Sequence, residues 1–157
     1  TAGDAQVAYE TALRLDPDHA RAFMGMAAVH SASGNRDQAA AGYARAVQFD
    51  PSLSEAWLGR IREVSPGDRA HGLTIAQQAK DAVPREPATY LWLAELEPAR
   101  AMDHLTLGLK QVPTDARLHA SLAERLLAAD RVREAGVEAD AALQIELPTS
   151  PHHAYCL

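Results

Sequence analysis

Apolar residues recur along the start of the chain with the spacing of an α-helix, and a proline ends the run. The apolar positions that share one helical face are Ala5, Tyr9, Ala12 and Leu13. Asp16-Pro17 follows, and the residue before a proline is disfavoured in the α conformation. The pattern therefore predicts a helix over residues 4–15.

A longer arrangement of the same kind covers residues 18–51. A first amphipathic run predicts a helix over residues 19–32, with a packing face formed by Phe23, Met26, Ala27 and His30. Gly34-Asn35 indicates a turn. A second run predicts a helix over residues 36–49, with Ala39, Tyr43, Ala46 and Val47 on its packing face and Asp50-Pro51 at its end. Pro51 stands 34 residues after Pro17, so the segment is the unit of a repeat.

The next repeat is predicted over residues 52–87. Ser54 is a plausible N-cap of its first helix, and Trp57, Ile61 and Val64 form the apolar face. Ser65-Pro66-Gly67-Asp68 is a strong turn signal. A second helix is then expected over about residues 68–83, with Pro87 closing a repeat that is two residues over the period.

The remaining segments are less regular. Residues 88–113 form a repeat that is eight residues short, with helices over 88–97 and 98–111 and a sharp break at Glu97 before Pro98. Residues 114–148 form a repeat of ordinary length, in which Thr114 or Asp115 caps the first helix. Residues 149–157 resemble the opening of another first helix.

These residues resemble the tetratricopeptide repeat family, whose pattern is an aromatic residue, then Ala, then an aromatic residue, then Pro. The match is carried by Phe23, Ala39, Tyr43, Ala46 and Pro51, and in the first run by Ala5, Tyr9, Ala12 and Pro17. The resemblance implies an all-α fold, a right-handed superhelix (solenoid) of antiparallel helix pairs. It also implies that residues 1–157 form a single domain, with a second helix of a partial repeat at residues 4–17.

The family resemblance further implies a scaffold or adaptor that is not itself an enzyme. Its first helices would line a concave groove that binds a peptide, an extended segment or a helix of a partner protein. Carried onto this sequence, the partner-binding positions are Arg21, Met24, Gly25, Ala28, Leu58, Gly59, Arg62, Trp92, Glu95, Arg117, Ser121 and Glu124. Met24 and Leu58 would supply apolar contact, while Arg21, Arg62 and Arg117 would orient the partner.

Two interpretations stay open at these positions. Gly25 and Gly59 stand one period apart, and each costs a helix about 1 kcal/mol relative to Ala. They serve either the close approach of a ligand or close packing between successive first helices, and we favour packing. Similarly, Glu95, Arg117, Ser121 and Glu124 are either polar anchors for a peptide or an ordinary solvated helix face, which we favour.

A chaperone-tail carboxylate clamp, a known variant of the family, does not fit this sequence. That clamp uses Lys, Asn and Arg at the groove positions, which here are Arg21, Met24, Gly25 and Ala28 and then Glu55, Leu58, Gly59 and Arg62. Neither set contains Lys or Asn, and Glu55 would repel a terminal carboxylate.

Composition narrows the function classes further. The chain has 47% hydrophobic residues and a net charge of −6, so it can bury a core but lacks the basic surface that non-specific nucleic-acid binding needs. A single cysteine, Cys156, rules out an internal disulfide and leaves the compartment open, with the cytoplasm favoured over the periplasm. No apolar run approaches the roughly 20 residues of a membrane-spanning helix, so no membrane insertion is expected.

No catalytic, cofactor or metal site is expected. His152, His153 and Cys156 are types that bind zinc, but their spacing matches no common closed site. There is no glycine-rich phosphate loop. Trp57 is expected in the core, whereas Trp92 is the better candidate for a partner contact.

Two alternatives to a free-standing interaction module remain. The chain begins on a second helix and ends on a first one, so it is expected to come from a longer parent. It could then be the docking or regulatory domain of a larger bacterial enzyme whose catalytic part lies elsewhere. Alternatively, its uncapped ends could pair in a homo-oligomer.

Overall fold

The structure is a computed structural model that describes residues 2–64 and 67–146. Every regular element in these ranges is helical: α1 Ala2–Leu15, α2 Ala20–Ala32, α3 Arg36–Phe49, α4 Ser54–Glu63, α5 Arg69–Ala82, α6 Pro87–Leu96, a 3₁₀ turn Pro98–Arg100, α7 Ala101–Gln111, α8 Ala116–Ala128 and α9 Val132–Glu146. The predicted all-α class is confirmed. The predicted helix opening at residues 149–157 lies outside the described residues.

The chain divides into two compact units, residues 1–89 and residues 90–157. In the first unit, consecutive helices from α1 to α5 pack on one another, and α2 also contacts α4. Many of its buried positions are alanines, such as Ala27, Ala39 and Ala46. Small side chains let α2 and α3 approach closely, since a Cβ on Gly42 of α3 would stand 2.8 Å from the Cβ of Ala27.

The second unit has a core of larger side chains. Tyr90 on α6, Leu105 on α7 and Leu118 on α8 are almost completely buried. A Cβ on Gly108 of α7 would stand 2.8 Å from the Tyr90 ring, so α6 and α7 touch at this point. Helices α8 and α9 then pack as a pair, with Leu122 and Leu126 of α8 and Ala135 and Ala142 of α9 buried.

The shortened segment breaks at Glu97, as predicted. Helix α6 ends at Leu96, and the chain makes a 3₁₀ turn over Pro98–Arg100 before α7 begins at Ala101. The predicted helix 98–111 therefore starts with a tighter turn than expected. The Glu97 carboxylate lies 2.7 Å from Nε2 of the buried His104 on α7, which ties the break to the next helix.

Helix starts confirm one predicted cap and correct another. The Asp115 carboxylate accepts a hydrogen bond of 3.1 Å from the Leu118 N–H at the start of α8, as predicted for Thr114 or Asp115. Ser54 is not an N-cap, because it is the first helical residue and Leu53 precedes the helix without a side-chain cap bond. The turn before α9 holds Asp130 at a φ of 59° and the turn before α3 holds Gly34 at a φ of 78°, the left-handed conformation typical after a helix.

The helix starts also show which prolines are equivalent. Helices α2, α4 and α8 begin three residues after Pro17, Pro51 and Pro113. Helix α6 begins at Pro87, three residues after Pro84. Pro84 therefore holds the position that the sequence analysis gave to Pro87, and the spacings become 33 and 29 residues. Pro87 is tolerated as the first helical residue because its missing N–H has no partner there.

Candidate functional site

On each of α2, α4, α6 and α8, the predicted partner-binding residues stand at the same set of distances from the preceding proline. They form a stripe along one face of that helix. Arg21, Met24, Gly25 and Ala28 stand 4, 7, 8 and 11 residues after Pro17, which is the spacing of one face of α2. Arg21 and Ala28 are exposed, and Met24 and Gly25 are half-buried. The first stripe is therefore accessible along its length.

Helix α4 repeats the stripe in the same unit. Leu58 is half-buried and Arg62 is exposed, whereas Gly59 is buried. Because α2 contacts α4, the two stripes belong to neighbouring helices. The structure thus places the seven predicted residues of the amino-terminal half on two helices that touch.

Gly25 and Gly59 each face a tyrosine ring. A Cβ on Gly59 would stand 2.5 to 2.7 Å from three atoms of the Tyr43 ring on α3, and a Cβ on Gly25 would overlap the Tyr9 ring on α1. In both cases the tyrosine precedes the glycine by 16 residues. These contacts explain both glycines by packing. The packing is against the preceding second helix, whereas packing between successive first helices was expected.

The Tyr43 phenol also interacts electrostatically with charged residues of α4. Burial raises the pKa of its phenol above the ordinary value of 10.0; nearby Arg62 opposes the shift, while Glu63 and Glu55 add to it. The phenol is therefore within electrostatic reach of the α4 stripe. Arg21 on α2 acts on another group, Asp50, whose pKa is lowered mainly by the Ser52 hydroxyl, with a smaller contribution from Arg21.

A buried carboxylate that the sequence analysis missed joins three helices beside the stripe. The Ser31 hydroxyl of α2 donates a hydrogen bond of 2.5 Å to Glu63 Oε1 of α4. Arg36 Nε of α3 lies 3.7 Å from Glu63 Oε2, and the Glu63 side chain is only 8% exposed. No local pattern marks these residues, because Ser31 and Glu63 are 32 positions apart.

In the second unit, Trp92 and Glu95 lie on α6, with Trp92 half-buried and Glu95 exposed. Trp92 stands eight residues after Pro84, the position that Gly25 and Gly59 hold after their prolines. Tyr90 stands six residues after Pro84 and is 1% exposed. Tyr90 is therefore the aromatic core residue of α6. Counting from Pro84 would have identified it from the sequence.

Arg117, Ser121 and Glu124 form the stripe of α8 in the same unit. Arg117 and Glu124 are exposed and Ser121 is half-buried. Arg117 forms an ion pair of 2.8 Å with the capping residue Asp115, so part of its charge is already engaged within the chain.

A ring N–H bond to a proline carbonyl recurs at two helix starts. Trp57 is 7% exposed, as expected for the core, and its Nε1–H donates a hydrogen bond of 2.8 Å to the Pro51 carbonyl oxygen. His119 lies at the same position after Pro113, with its Nε2 3.0 Å from the Pro113 carbonyl oxygen. Its Nδ1 lies 2.6 Å from Glu138 Oε2 of α9, so both ring nitrogens face acceptors.

Within residues 2–64 and 67–146, no group of three or more His, Cys, Asp or Glu side chains is placed to hold a metal ion. His152, His153 and Cys156 lie outside the described residues. Over the same part of the chain, no helix has both the length and the apolarity to cross a membrane.

Comparison with known proteins agrees with this architecture. Residues 1–62 match the model of a tetratricopeptide repeat family. No curated protein sequence matches the chain. Solved structures show the fold over much more of the chain than the family model does.

PilF of Pseudomonas aeruginosa superposes with a TM-score of 0.76 at 17% identity, over 91% of this chain and 68% of that one. MamA of Desulfovibrio magneticus RS-1 gives 0.68 at 12% identity, over 92% and 85%. YrrB, described as a TPR protein with an unusual peptide-binding site, gives 0.62 at 16% identity, over 97% and 79%. At these identities the likeness concerns the fold, and such repeats typically serve as protein-interaction scaffolds. Residues 1–62 therefore match the tetratricopeptide repeat family, and the described chain has the all-α fold of tetratricopeptide-repeat solenoids.

Proposed function

We propose that the chain is a protein–protein interaction module that binds a peptide or a helix of a partner along the stripes of α2 and α4. The observation that carries this proposal is that two contacting first helices combine half-buried apolar side chains, Met24 and Leu58, with exposed cations, Arg21 and Arg62. Apolar anchors of this kind supply affinity, and guanidinium groups bind carboxylates in a defined geometry.

In the second unit, α6 and α8 carry candidate stripes of their own. Trp92 offers a large, half-buried aromatic side chain of the type that dominates binding energy at interfaces. Glu95, Arg117, Ser121 and Glu124 would set the register of the partner. Gly25 and Gly59 belong to the surface only by position, because tyrosine rings already account for their missing side chains.

In this proposal the chain itself is not an enzyme and uses no cofactor or metal. The partner is a protein, and neither nucleic acid nor a membrane is involved. Support comes from the fold, which is typical of interaction scaffolds.

The proposal is tested by affinity capture from a lysate of the source cells with the intact chain as bait. Leu58→Glu and Arg62→Glu should each reduce recovery of the captured partner by at least about tenfold, which corresponds to about 1.4 kcal/mol of binding free energy. Matched controls are Val7→Glu on the exposed face of α1 and Arg85→Glu in the exposed loop after α5; both should capture normally. Equal recovery by all four variants, with helical content unchanged, would place the binding surface elsewhere.

A further inference from the structure

The last helix pair that the structure describes, α8–α9, carries an apolar groove. It has a volume of about 580 Å³, and its lining includes the apolar residues Leu127, Val132, Ala139 and Leu143 and the carboxylates of Glu124 and Glu146. Leu127, Val132 and Leu143 are 60%, 58% and 55% exposed. Exposed apolar surface that is concentrated in this way marks a site of interaction.

In the first complete helix pair, α2–α3, the face that corresponds to this groove is covered by the next helix, α4. Counted from their prolines, Leu127, Val132 and Ala139 hold the positions of Ser31, Arg36 and Tyr43 in the α2–α3 pair. All three residues of the α2–α3 pair contact α4: Ser31 and Arg36 bind Glu63, and the Tyr43 ring lies against Gly59. The groove on α8–α9 is therefore the surface on which the earlier pair holds a helix.

The differences between the two faces define which helix would fit. Ala139 replaces the large ring of Tyr43, so space opens where α4 has Gly59. Leu127 and Val132 replace the polar Ser31 and Arg36, so an apolar residue would fit where α4 has Glu63. A complementary helix thus carries a bulky apolar residue at position i and another at i+4, the spacing of Gly59 and Glu63 on α4.

Two further features concern the backbone and the charge of the groove. A Cβ on Gly136 would meet nothing within 4 Å, so no contact within the described chain explains a glycine inside α9. The charged residues that line the groove are both acidic, Glu124 and Glu146. A helix with Lys or Arg beside its apolar stripe would satisfy these carboxylates.

We propose that the α8–α9 groove binds one amphipathic helix of a partner protein, with bulky apolar residues at i and i+4 and basic residues on both flanks. A second copy of this chain is less complementary, since its net charge is −6. Residues 147–157 contain neither Lys nor Arg, so they match such flanks less well than a basic helix does. The proposal does not depend on the stripes of α2 and α4, although Glu124 of the α8 stripe also lines this groove.

The test uses two fluorescein-labelled helical peptides and the full 157-residue chain in an anisotropy titration. The first peptide has Phe at i, Leu at i+4 and Lys on both flanks. The second differs only in having Gly and Glu at these two positions, as α4 does. The first should bind at least about tenfold more tightly than the second.

Variants of the chain then locate the bound peptide. Ala139→Tyr, and separately the pair Leu127→Ser and Val132→Arg, introduce the residues of the first helix pair and should each weaken binding by at least about tenfold. Val137→Arg changes an exposed apolar residue of α9 outside the groove and should change affinity less than about twofold. Equal affinity for both peptides, or an equal loss with Val137→Arg, would overturn the proposal.

Two further measurements identify the other possible occupants. A molar mass that rises with concentration in the parent chain, and not in Ala139→Tyr, would assign the groove to a second copy. The rate at which the single thiol, Cys156, reacts with a disulfide reagent reports on the chain's own carboxyl-terminal segment. If the groove variants react at least about tenfold faster than the parent chain, that segment occupies the groove. Either result would overturn the proposal, whereas unchanged mass and thiol reactivity support it.

The α4-stripe variants Leu58→Glu and Arg62→Glu should leave peptide affinity unchanged, which separates this test from that of the proposed function.

Discussion

At the scale of single residues, size matching between tyrosine and glycine sets how a first helix lies on the preceding second helix. Tyr43 and Gly59 form one such pair, and Tyr9 and Gly25 form another. The sequence showed the two glycines one period apart but left their role open, because the ring that fills the space belongs to another helix.

Gly59→Ala should lower the free energy of unfolding by about 1–3 kcal/mol, the usual cost of overpacking a core. The added methyl group would collide with the ring of Tyr43, which is only 4% exposed. The matched control is Gly136→Ala in α9, where a Cβ meets nothing. It should raise the free energy of unfolding by about 0.5–1 kcal/mol, since Ala is the better helix former. Urea denaturation followed by circular dichroism measures both, and a stabilising effect of Gly59→Ala would refute the packing explanation.

Alkaline pH should reveal the burial of Tyr43. Its pKa in the folded chain lies above 10.0 because burial disfavours the phenolate. The unfolded chain then loses this proton first, so stability from this group is complete below pH 10 and declines as pH rises toward the folded pKa. Denaturation across this pH range should show a smaller loss of stability in Tyr43→Phe than in the parent chain; identical profiles would contradict the assignment.

At the scale of the helices, local signals account for nearly all starts and ends. The predicted helices over residues 19–32 and 36–49 correspond to α2 and α3, and the predicted break at Glu97 separates α6 from the following 3₁₀ turn. Amphipathic spacing, prolines and turn residues act within a few positions, which is why sequence reasoning captured them. Pro87 was predicted to close a repeat, whereas it is the first residue of α6, since a proline can either follow a helix or begin one.

The start of α8 offers a direct test of capping. Asp115→Ala should lower the free energy of unfolding by about 1 kcal/mol because the Leu118 N–H loses its acceptor. Asp115→Asn keeps an acceptor oxygen and should retain most of the stability, although it loses the ion pair with Arg117. Thermal unfolding of the three chains distinguishes these cases, and equal destabilisation by both substitutions would assign the effect to the ion pair.

At the scale of the whole molecule, net charge limits the class of partner. With a net charge of −6, the chain should not bind duplex DNA non-specifically even at low salt, because it releases few phosphate counterions. Fluorescence anisotropy with a labelled duplex at about 50 mM salt tests this expectation. Saturable binding that weakens steeply as salt rises would contradict it and would call for a basic patch that the overall charge conceals.

The residues of the proposed stripes could be named from sequence because they repeat at fixed distances along each first helix. Sequence also indicated that Trp57 is core and Trp92 less so, and the structure agrees. It did not find the Ser31–Glu63–Arg36 cluster or the α8–α9 groove, since each combines residues from different helices. Whether the stripes bind a partner stays a prediction.

The sequence by itself determined the helical class, most helix bounds up to residue 111 and the resemblance to the repeat family, because helix formation and termination depend on residues a few positions apart. Only the tertiary structure decided what faces Gly25 and Gly59, which groups contact Glu63, and that α8 and α9 form an apolar groove. These features depend on contacts between residues 16 to 32 positions apart, whose distances in space are set by how helices pack and not by any local pattern. The way in which α4 packs on the α2–α3 pair is the basis for proposing that the α8–α9 groove binds an amphipathic helix.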